Sequence, residues 1–407
     1  MLTRLLAGPP LAAGAESLAD HRRRLGPLPR VGDGQALIGA LADSGLLGRG
    51  GAGFPVARKW STVAARPEGR AFVLANGAEG EPLSSKDRTL MATRPHLVLD
   101  GAQLAAAAVG AEEIVLYVGR EHRAARSALT TAIADRATAR AVPITLVTAP
   151  PSYVAGEESA AVHYLNDGDA RPTGTTHRPF ERGIAGDPTL VQNVETLAHV
   201  ALIARHGAAW YRELGSGTRG TALVTLGGVE RPGVTEIAIG TRIRELAEEF
   251  GAPAGARAVL LGGYFGGWLA AGRAWDVSMD PQILRAAGSA FGCGVVAFLG
   301  PVSCGVEATA RILDYMAGQS AAQCGPCVFG LRAIADATAR LAAGSPARDD
   351  LDRLNRWSTQ LAGRGACRHP DGAVGLLQSA LHVFGDEFKE HQRTRTCPVV
   401  RNGRRAA

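Results

Sequence analysis

Ala71-Phe72-Val73-Leu74-Ala75-Asn76-Gly77-Ala78-Glu79-Gly80-Glu81-Pro82 runs from an unbroken apolar segment straight into a polar, glycine-bearing loop. An apolar run of this length, stopped by Asn-Gly, predicts a buried strand followed by a turn. Downstream the pattern alternates. A helical stretch is expected over about 88–109. Ile114-Val115-Leu116-Tyr117-Val118 then reads as a second buried strand, 122–140 as a helix, and Ile144-Thr145-Leu146-Val147 as a third strand. This rhythm predicts a parallel sheet with helices on its faces. Such sheets take ligands at the carboxyl ends of their strands, and the 76–82 loop begins where a strand stops.

Upstream, Gly48-Arg49-Gly50-Gly51-Ala52-Gly53-Phe54 closes with Lys59 and Trp60. Its glycines leave the backbone bare, so N–H groups can approach a phosphate closely. Phe54 adds an aromatic face, and Asn76, Glu79 and Glu81 bring polar groups. Together they point to a nucleotide-type cofactor with a phosphate tail and a flat ring. A third loop, Tyr153-Val154-Ala155-Gly156-Glu157-Glu158, follows the 144–147 strand and so falls at the same sheet edge. Its paired carboxylates suit ribose hydroxyls or an amide, or simply a helix start. His177-Arg178-Pro179-Phe180 offers a ring and a cation. Gln192-Asn193-Val194-Glu195-Thr196 opens a helix with free N–H groups. Ordinary turn and cap chemistry is the alternative for each.

The chain has 407 residues, 46% hydrophobic and 20% charged, which suits two to four globular domains. Its net charge of +6 is carried by Arg; the lysines are Lys59, Lys86 and Lys389. The first two sit in or beside the candidate loops, as do Asn76 and Asn193 among five Asn. Positive charge is diffuse apart from Arg22-Arg23-Arg24 and a tail from Arg401 to Arg405, and aromatics are 5%. Nucleic-acid binding, which wants a basic stripe with interleaved aromatics, is not expected. An acidic protein partner such as a ferredoxin fits mild positive charge better. No membrane span is expected, because the apolar run 104–109 is mostly Ala and meets Glu112 and Glu113. Pro9 and Pro10 interrupt the apolar N-terminal patch, so no signal peptide is expected, and the placement is read as cytoplasmic.

From Thr221 a different unit is expected: strand 222–226, the turn Glu230-Arg231-Pro232-Gly233, strand 234–239 and helix 242–250. This reads as a small β-grasp-like module. From Gly305 the pattern is helical. Leu351, Leu354 and Leu361 mark one amphipathic helix, and Leu377, Leu381, Phe384 and Phe388 another, as in an antiparallel bundle. Cys324-Gly325-Pro326-Cys327 starts a helix, with Cys367 further on. Two thiolates at that spacing can share a cluster or metal, and a helical hairpin could return the third. A redox disulfide and a three-Cys zinc site are the alternatives. Cys293, Cys304 and Cys397 read as small core residues or a free tail thiol. No catalytic acid, base or nucleophile stands out.

With these residues assembled, the chain resembles the NADH-binding flavoprotein (F-type) subunit of respiratory complex I and the diaphorase subunits of NAD-linked hydrogenases and formate dehydrogenases. The resemblance spans about 41–391. The 48–60 loop looks like the family's FMN loop; 76–88, 153–158 and 193–196 look like its other flavin and nicotinamide segments. It implies a Rossmann-like FMN domain over 1–215, a β-grasp (SLBB) domain over 216–275 and a helical iron–sulfur domain over 276–407. It implies that Gly48, Arg49, Gly50, Gly51, Lys59 and Asn76 hold FMN, and that Glu79, Gly156, Glu157 and Asn193 are cofactor-binding residues of the flavin and nicotinamide segments. Phe54 and Phe180 would stack on NADH, and Glu81 and Glu158 would bind its ribose or amide. Cys324, Cys327 and Cys367 would hold a cluster, 4Fe-4S in the family. The departures are specific: Ala321 stands where the family has a further cluster Cys, Ala78 where it has an Asp, and Thr62 where it has a second aromatic. A non-Cys ligand such as Ser320, a three-iron cluster, or no cluster all follow as options. The implied activity is hydride transfer from NADH to FMN, then single-electron transfer to an iron–sulfur partner. A flavin-binding protein that no longer oxidises NADH, and a zinc-stabilised scaffold, are the alternatives.

Overall fold

A computed structural model of the chain describes residues 3–66, 69–136, 142–174 and 177–399. The basic tail from Arg401 to Arg405 and the end of the expected 122–140 helix lie outside these residues. The chain divides into two compact units. Unit 1 comprises Met1–Val224 with Val234–Thr241, and unit 2 Thr225–Gly233 with Arg242–Ala407.

Unit 1 is built on β1 (Phe72–Gly77), β2 (Glu113–Gly119), β3 (Ile144–Ala149) and β4 (Thr189–Asn193). All pair in parallel, in the order β3-β2-β1-β4. Strand alternation divides β1 between two cores. Val73 and Ala75 join the larger one, and Phe72 and Leu74 the smaller. The helices are α1 (Leu18–Leu25), α2 (Gly34–Ser44), α3 (Val56–Ala64), α4 (Lys86–Thr93), α5 (Pro95–Val109), α6 (Arg123–Asp135), α7 (Glu158–Asp167) and α8 (Val194–Arg212). Apolar residues of α2, α3, α5, α6 and α8 fill the larger core, while Ala161 and Val162 of α7 fill the smaller.

Chain direction explains this split. From β1 to β2 to β3 the chain steps one way. It then returns past β1 to lay β4 on the far side. A right-handed crossover that reverses direction must use the opposite face, which is where α7 packs. The order therefore reverses between β1 and β4, and the crevice at such a reversal is where open parallel sheets bind ligands.

The expected 88–109 helix is two helices. Pro95 denies the helical conformation to the residue before it, and Arg94 lies at φ −130°, ψ 49°. The break is held by the buried Arg94 guanidinium, which donates to the carbonyls of Leu6, Ala7 and Thr93. Strand β4 was not foreseen. Only Leu190 and Val191 carry its apolar signal.

β5 (Thr221–Gly227) starts in unit 1, where β6 (Gly233–Ala238) is its neighbour, and ends in unit 2. In unit 2, residues Thr225, Leu226 and Gly227 pair in parallel with β9 (Val295–Leu299). β7 (Ala258–Leu261) runs antiparallel to β9 and to β8 (Gly267–Ala270). The helix α9 (Ile243–Phe250) buries Ile243, Leu246, Ala247 and Phe250, the stripe read from the sequence. After the short α10 (Ala271–Ala274) and α11 (Pro281–Ala286) comes the bundle. It comprises α12 (Gly305–Gly318), α13 (Arg332–Ala342), α14 (Asp350–Gln360), α15 (His369–Val383) and α16 (Gly385–Thr394). The stripe expected as one helix through Leu377 and Phe388 is broken at Phe384, whose φ of −111° and ψ of 19° end α15. Phe384 turns edge-on to Trp268, with ring centroids 5.4 Å apart, in the bundle's core.

Candidate flavin and cluster sites

Asn76 and Asn193 face each other in register at the carboxyl ends of β1 and β4. Each then spends its amide on a neighbouring segment. Asn76 Nδ2 donates to the Gly156 carbonyl at 2.8 Å, and its Oδ1 accepts from Ala78 N at 3.2 Å. Asn193 caps α8, its Oδ1 accepting from Glu195 N and Thr196 N, while its Nδ2 donates to Asp87 Oδ2 at 2.7 Å. Two strand ends are thereby tied to the starts of α4, α7 and α8.

The glycine loop reaches the same place. Arg49 N donates to Thr196 Oγ1 at 2.9 Å, and Gly48 N to the Phe54 carbonyl at 2.9 Å, which closes the loop. A Cβ on Gly50 would stand 3.3 Å from Asn193 Cβ, so the loop lies against the cap of α8. Gly51 and Gly53 take φ of 107° and 63°, conformations that side chains resist. Behind the loop, Trp60 Nε1 donates to Gln192 Oε1 at 3.1 Å, fixing α3 to β4. Gly80 packs on the third loop so closely that a Cβ would meet the Tyr153 carbonyl at 2.8 Å. Tyr153 Oη donates to Glu81 Oε2 at 3.0 Å. The four loops picked out in the sequence therefore meet.

Several candidate side chains also carry structural duties. Glu79, at a positive φ of 41°, accepts from Ser84 Oγ and from the N–H groups of Asp87 and Arg88 at the start of α4. Glu157 accepts from Ser159 N and Ala160 N and so caps α7. The result is three helix N-termini gathered beside a bare loop, their first N–H groups taken by the carboxylates of Glu79 and Glu157 and by the amide of Asn193. Arg49 differs from the cofactor-contacting role expected for it. Its guanidinium is buried, donating to Tyr211 Oη at 3.1 Å and to the Thr221 carbonyl at 3.0 Å. Arg49 anchors the loop; its charge does not face the crevice. Lys59 Nζ lies 2.8 Å from Glu158 Oε2 and 3.0 Å from the Val191 carbonyl, with both side chains partly exposed.

The two rings sit in different surroundings. Phe54 is 45% exposed on the loop, with Arg58 over its face at 5.8 Å. Phe180 follows Pro179, whose carbonyl accepts from Thr189 N at the opposite end of β4 from Asn193. That is roughly 13 Å at a strand's rise per residue. Its ring packs on the larger core with Arg66 at 5.7 Å. Arg178, 4.0 Å from Glu158, links this segment to the third loop. Thr62 turns back onto its own helix, donating to the Arg58 carbonyl.

Beneath the crevice lies a buried charge group that the sequence showed only as an unusual Lys. Lys86 Nζ is 2.7 Å from Asp87 Oδ1 and 2.7 Å from Glu195 Oε2. Glu195 Oε1 accepts from Leu223 N at 2.8 Å. Burial alone would raise the Glu195 carboxyl, but the charges of Lys86, His199 and Arg49 outweigh it and hold it at about 2. Burial likewise opposes the charge on Lys86, yet Asp87, Glu195 and Glu79 keep its ammonium protonated. This group holds Asn193 through its contact with Asp87.

In unit 2, Cys324 and Cys327 bracket the start of a π-helical turn, Pro326–Leu331. Burial pushes the Cys327 thiol up to about 12, and Cys324, Cys367 and Ser320 all lie near enough to act on it. The three thiols and the Ser320 hydroxyl thus share one neighbourhood, which fits a cluster whose irons take separate ligands. Among the described residues, the trio of ligand atoms close enough to share a single ion is a different one: Cys304, His391 and Cys397. That argues against a lone zinc on the Cys324 loop. Cys304 is a buried core residue and Cys397 packs against the same core, as read from the sequence.

Comparison with known proteins agrees with this geometry. Residues 41–202 match the Nuo51 FMN-binding domain, and residues 307–391 the NADH-ubiquinone oxidoreductase-F iron-sulfur binding region. An F-type NADH-quinone oxidoreductase subunit of Rhizobium meliloti is 33% identical over 379 residues, 89% of this chain and 90% of that protein. The HndC subunit of the NADP-reducing hydrogenase of Solidesulfovibrio fructosivorans is 29% identical over 89% of this chain and 77% of its own length. A crystal structure of an NAD+-reducing NiFe-hydrogenase in its H2-reduced state superposes with a TM-score of 0.80 at 29% identity, covering 94% of this chain and 67% of that one. The convergent loops, the grouped thiols and these matches have one common reading: the chain belongs to the family of F-type NADH-quinone oxidoreductase subunits.

Proposed function

We propose that this chain oxidises NADH on FMN held in the crevice between β1 and β4 and hands the electrons on to a partner protein. The observation that carries the proposal is the meeting of four loops and three capped helix N-termini where the strand order reverses. When bound, FMN takes a hydride from a nicotinamide and gives electrons up singly, and an iron–sulfur cluster carries single electrons. The protein binds and orients. The backbone of Gly48, Gly50 and Gly51 approaches the phosphate, Lys59 offsets its charge, and Asn76 and Asn193 fix the edges of the crevice. Glu79, Gly156 and Glu157 hold the surrounding turns in place. Phe54 and Phe180 stack on the dinucleotide. Glu81 and Glu158 serve its ribose or amide. Cys324, Cys327 and Cys367 hold the cluster, with Ser320 the non-Cys group best placed to complete it.

The partner in this reading is a ferredoxin-like iron–sulfur protein, which suits the net charge of +6. Among the described residues no helix is long and apolar enough to cross a membrane, and the free cysteines suit a reducing, cytoplasmic setting. The β5–β6 pair followed by α9 supports a β-grasp-like module after a flavin domain over 1–215; its sheet also takes in β9 (Val295–Leu299), so the module runs past the expected end at 275 into the expected cluster domain over 276–407.

The second reading, a flavin protein that has lost NADH oxidation, draws on Thr62 and Ala321. Gly50→Val tests the flavin site itself. A side chain there collides with Asn193, so FMN per chain should fall at least tenfold while the fold persists by circular dichroism. Full occupancy in that variant would place the flavin elsewhere.

A further inference from the structure

We propose that Arg58 reads the adenosine 2′-phosphate of NADPH, so that this chain takes NADPH as well as NADH as hydride donor. The proposal rests on the reading of Phe54 as a ring that stacks on the dinucleotide. The observation that carries it is the charge around that ring. Residues 54–66 hold Arg58, Lys59 and Arg66 and neither Asp nor Glu.

The three cations are used differently. Lys59 Nζ is matched by Glu158 Oε2 at 2.8 Å. Arg66 lies over Phe180 at 5.7 Å and donates to the Glu181 carbonyl at 3.0 Å. Arg58 is exposed and stands over the Phe54 ring at 5.8 Å. Among the described residues its guanidinium pairs with no carboxylate. At that distance it is near the limit of a cation–π contact. A phosphate would offer it paired, charge-assisted hydrogen bonds instead, the geometry a guanidinium suits best.

The nicotinamide must be buried against the flavin to pass a hydride, so a ring that is 45% exposed suits the adenine half. A base stacked on Phe54 brings its ribose within reach of a long side chain already lying over that ring. One turn along the same face of α3 comes Thr62, whose hydroxyl donates to the Arg58 carbonyl. Its small side chain leaves open the space that a ring there would fill. A carboxylate that binds ribose hydroxyls ordinarily disfavours a 2′-phosphate. Here Lys59 at 2.8 Å and Arg178 at 4.0 Å offset Glu158. The 2′-phosphate is remote from the nicotinamide, so the hydride step is the same for both donors.

Isothermal titration calorimetry of the FMN-loaded chain with adenosine 2′,5′-bisphosphate and with AMP reads the 2′-phosphate without any hydride transfer. The bisphosphate should bind about tenfold more tightly or better. Arg58→Leu should abolish that preference, and Arg58→Lys should keep part of it. Equal affinities in the parent chain, or a preference unchanged in Arg58→Leu, would overturn the proposal. Binding of neither nucleotide would overturn the reading of Phe54 and the proposal with it. In turnover with ferricyanide as acceptor, kcat/KM for NADPH should reach about a tenth of that for NADH or more. The ratio of the two should fall about 20-fold or more in Arg58→Leu. An unchanged ratio would make Arg58 a general dinucleotide contact and contradict the proposal.

Discussion

Lys59 and Glu158, proposed to serve FMN and NADH respectively, pair with each other. Their contact at 2.8 Å is partly exposed, so it stabilises the fold little. What it does is hold a cation and a carboxylate ready beside the crevice. Glu158→Gln should slow flavin reduction by NADH about tenfold or more while leaving FMN bound, as read by anaerobic stopped-flow absorbance. Loss of FMN with normal reduction once it is restored would reverse the assignment. Lys86 makes the opposite case. It is buried against Asp87 and Glu195, and removing one member of such a group leaves a charge unpaired. Lys86→Met should cost about 3–5 kcal/mol in denaturant unfolding of the apoprotein; a change below about 1 kcal/mol would show that the group is not a linked unit. The sequence marked Lys86 only as a rare residue type. Its partner Glu195 lies on another element, and no local pattern ties the two.

At the level of elements, caps and breaks decide the site. Asn193→Ala removes the cap of α8 and the bond to Asp87 together. It should cost about 1–2 kcal/mol of stability and lower FMN retention in extended dialysis. Unchanged retention would mean that α8 does not shape the flavin site. Acid should loosen unit 1 through its depressed carboxylates. Burial would raise Glu16, but hydrogen bonds from His21 and Arg24 overcome it and hold it at about 2, as Glu195 is held. Folded values below the ordinary 4.5 mean that this stability is present above about pH 4.5 and is lost as pH falls towards 2. Glu16→Gln should therefore flatten the fall in unfolding free energy across that window; an identical slope would contradict it. Much of this level was legible in advance. The strands β1 to β3, the helix α9 and the meeting of loops at one sheet edge follow from period and turn chemistry. The split at Pro95 and the end of α15 at Phe384 were missed because an apolar stripe continues across both breaks. β4 was missed because it is short and ends in polar residues that read as a helix start. The cap roles of Glu79 and Glu157 depend on where α4 and α7 begin, which periodicity locates poorly.

For the molecule as a whole, family membership and the geometry of unit 1 converge on one activity, while unit 2 carries the chain's distinguishing features. Ala321 removes one thiol from the cluster set, and Ser320 stands among the other three. Ala321→Cys should shift the iron–sulfur centre towards a four-iron type. Electron paramagnetic resonance would read this as loss of any three-iron signal from the oxidised protein, and persistence of that signal would show that position 321 does not face the cluster. The most direct test of NADH oxidation is anaerobic mixing of the FMN-loaded chain with excess NADH, following flavin absorbance. Rapid bleaching is expected, slowed at least tenfold in Phe54→Ala with FMN still bound. A flavin that stays oxidised in protein shown to retain it would contradict the assignment.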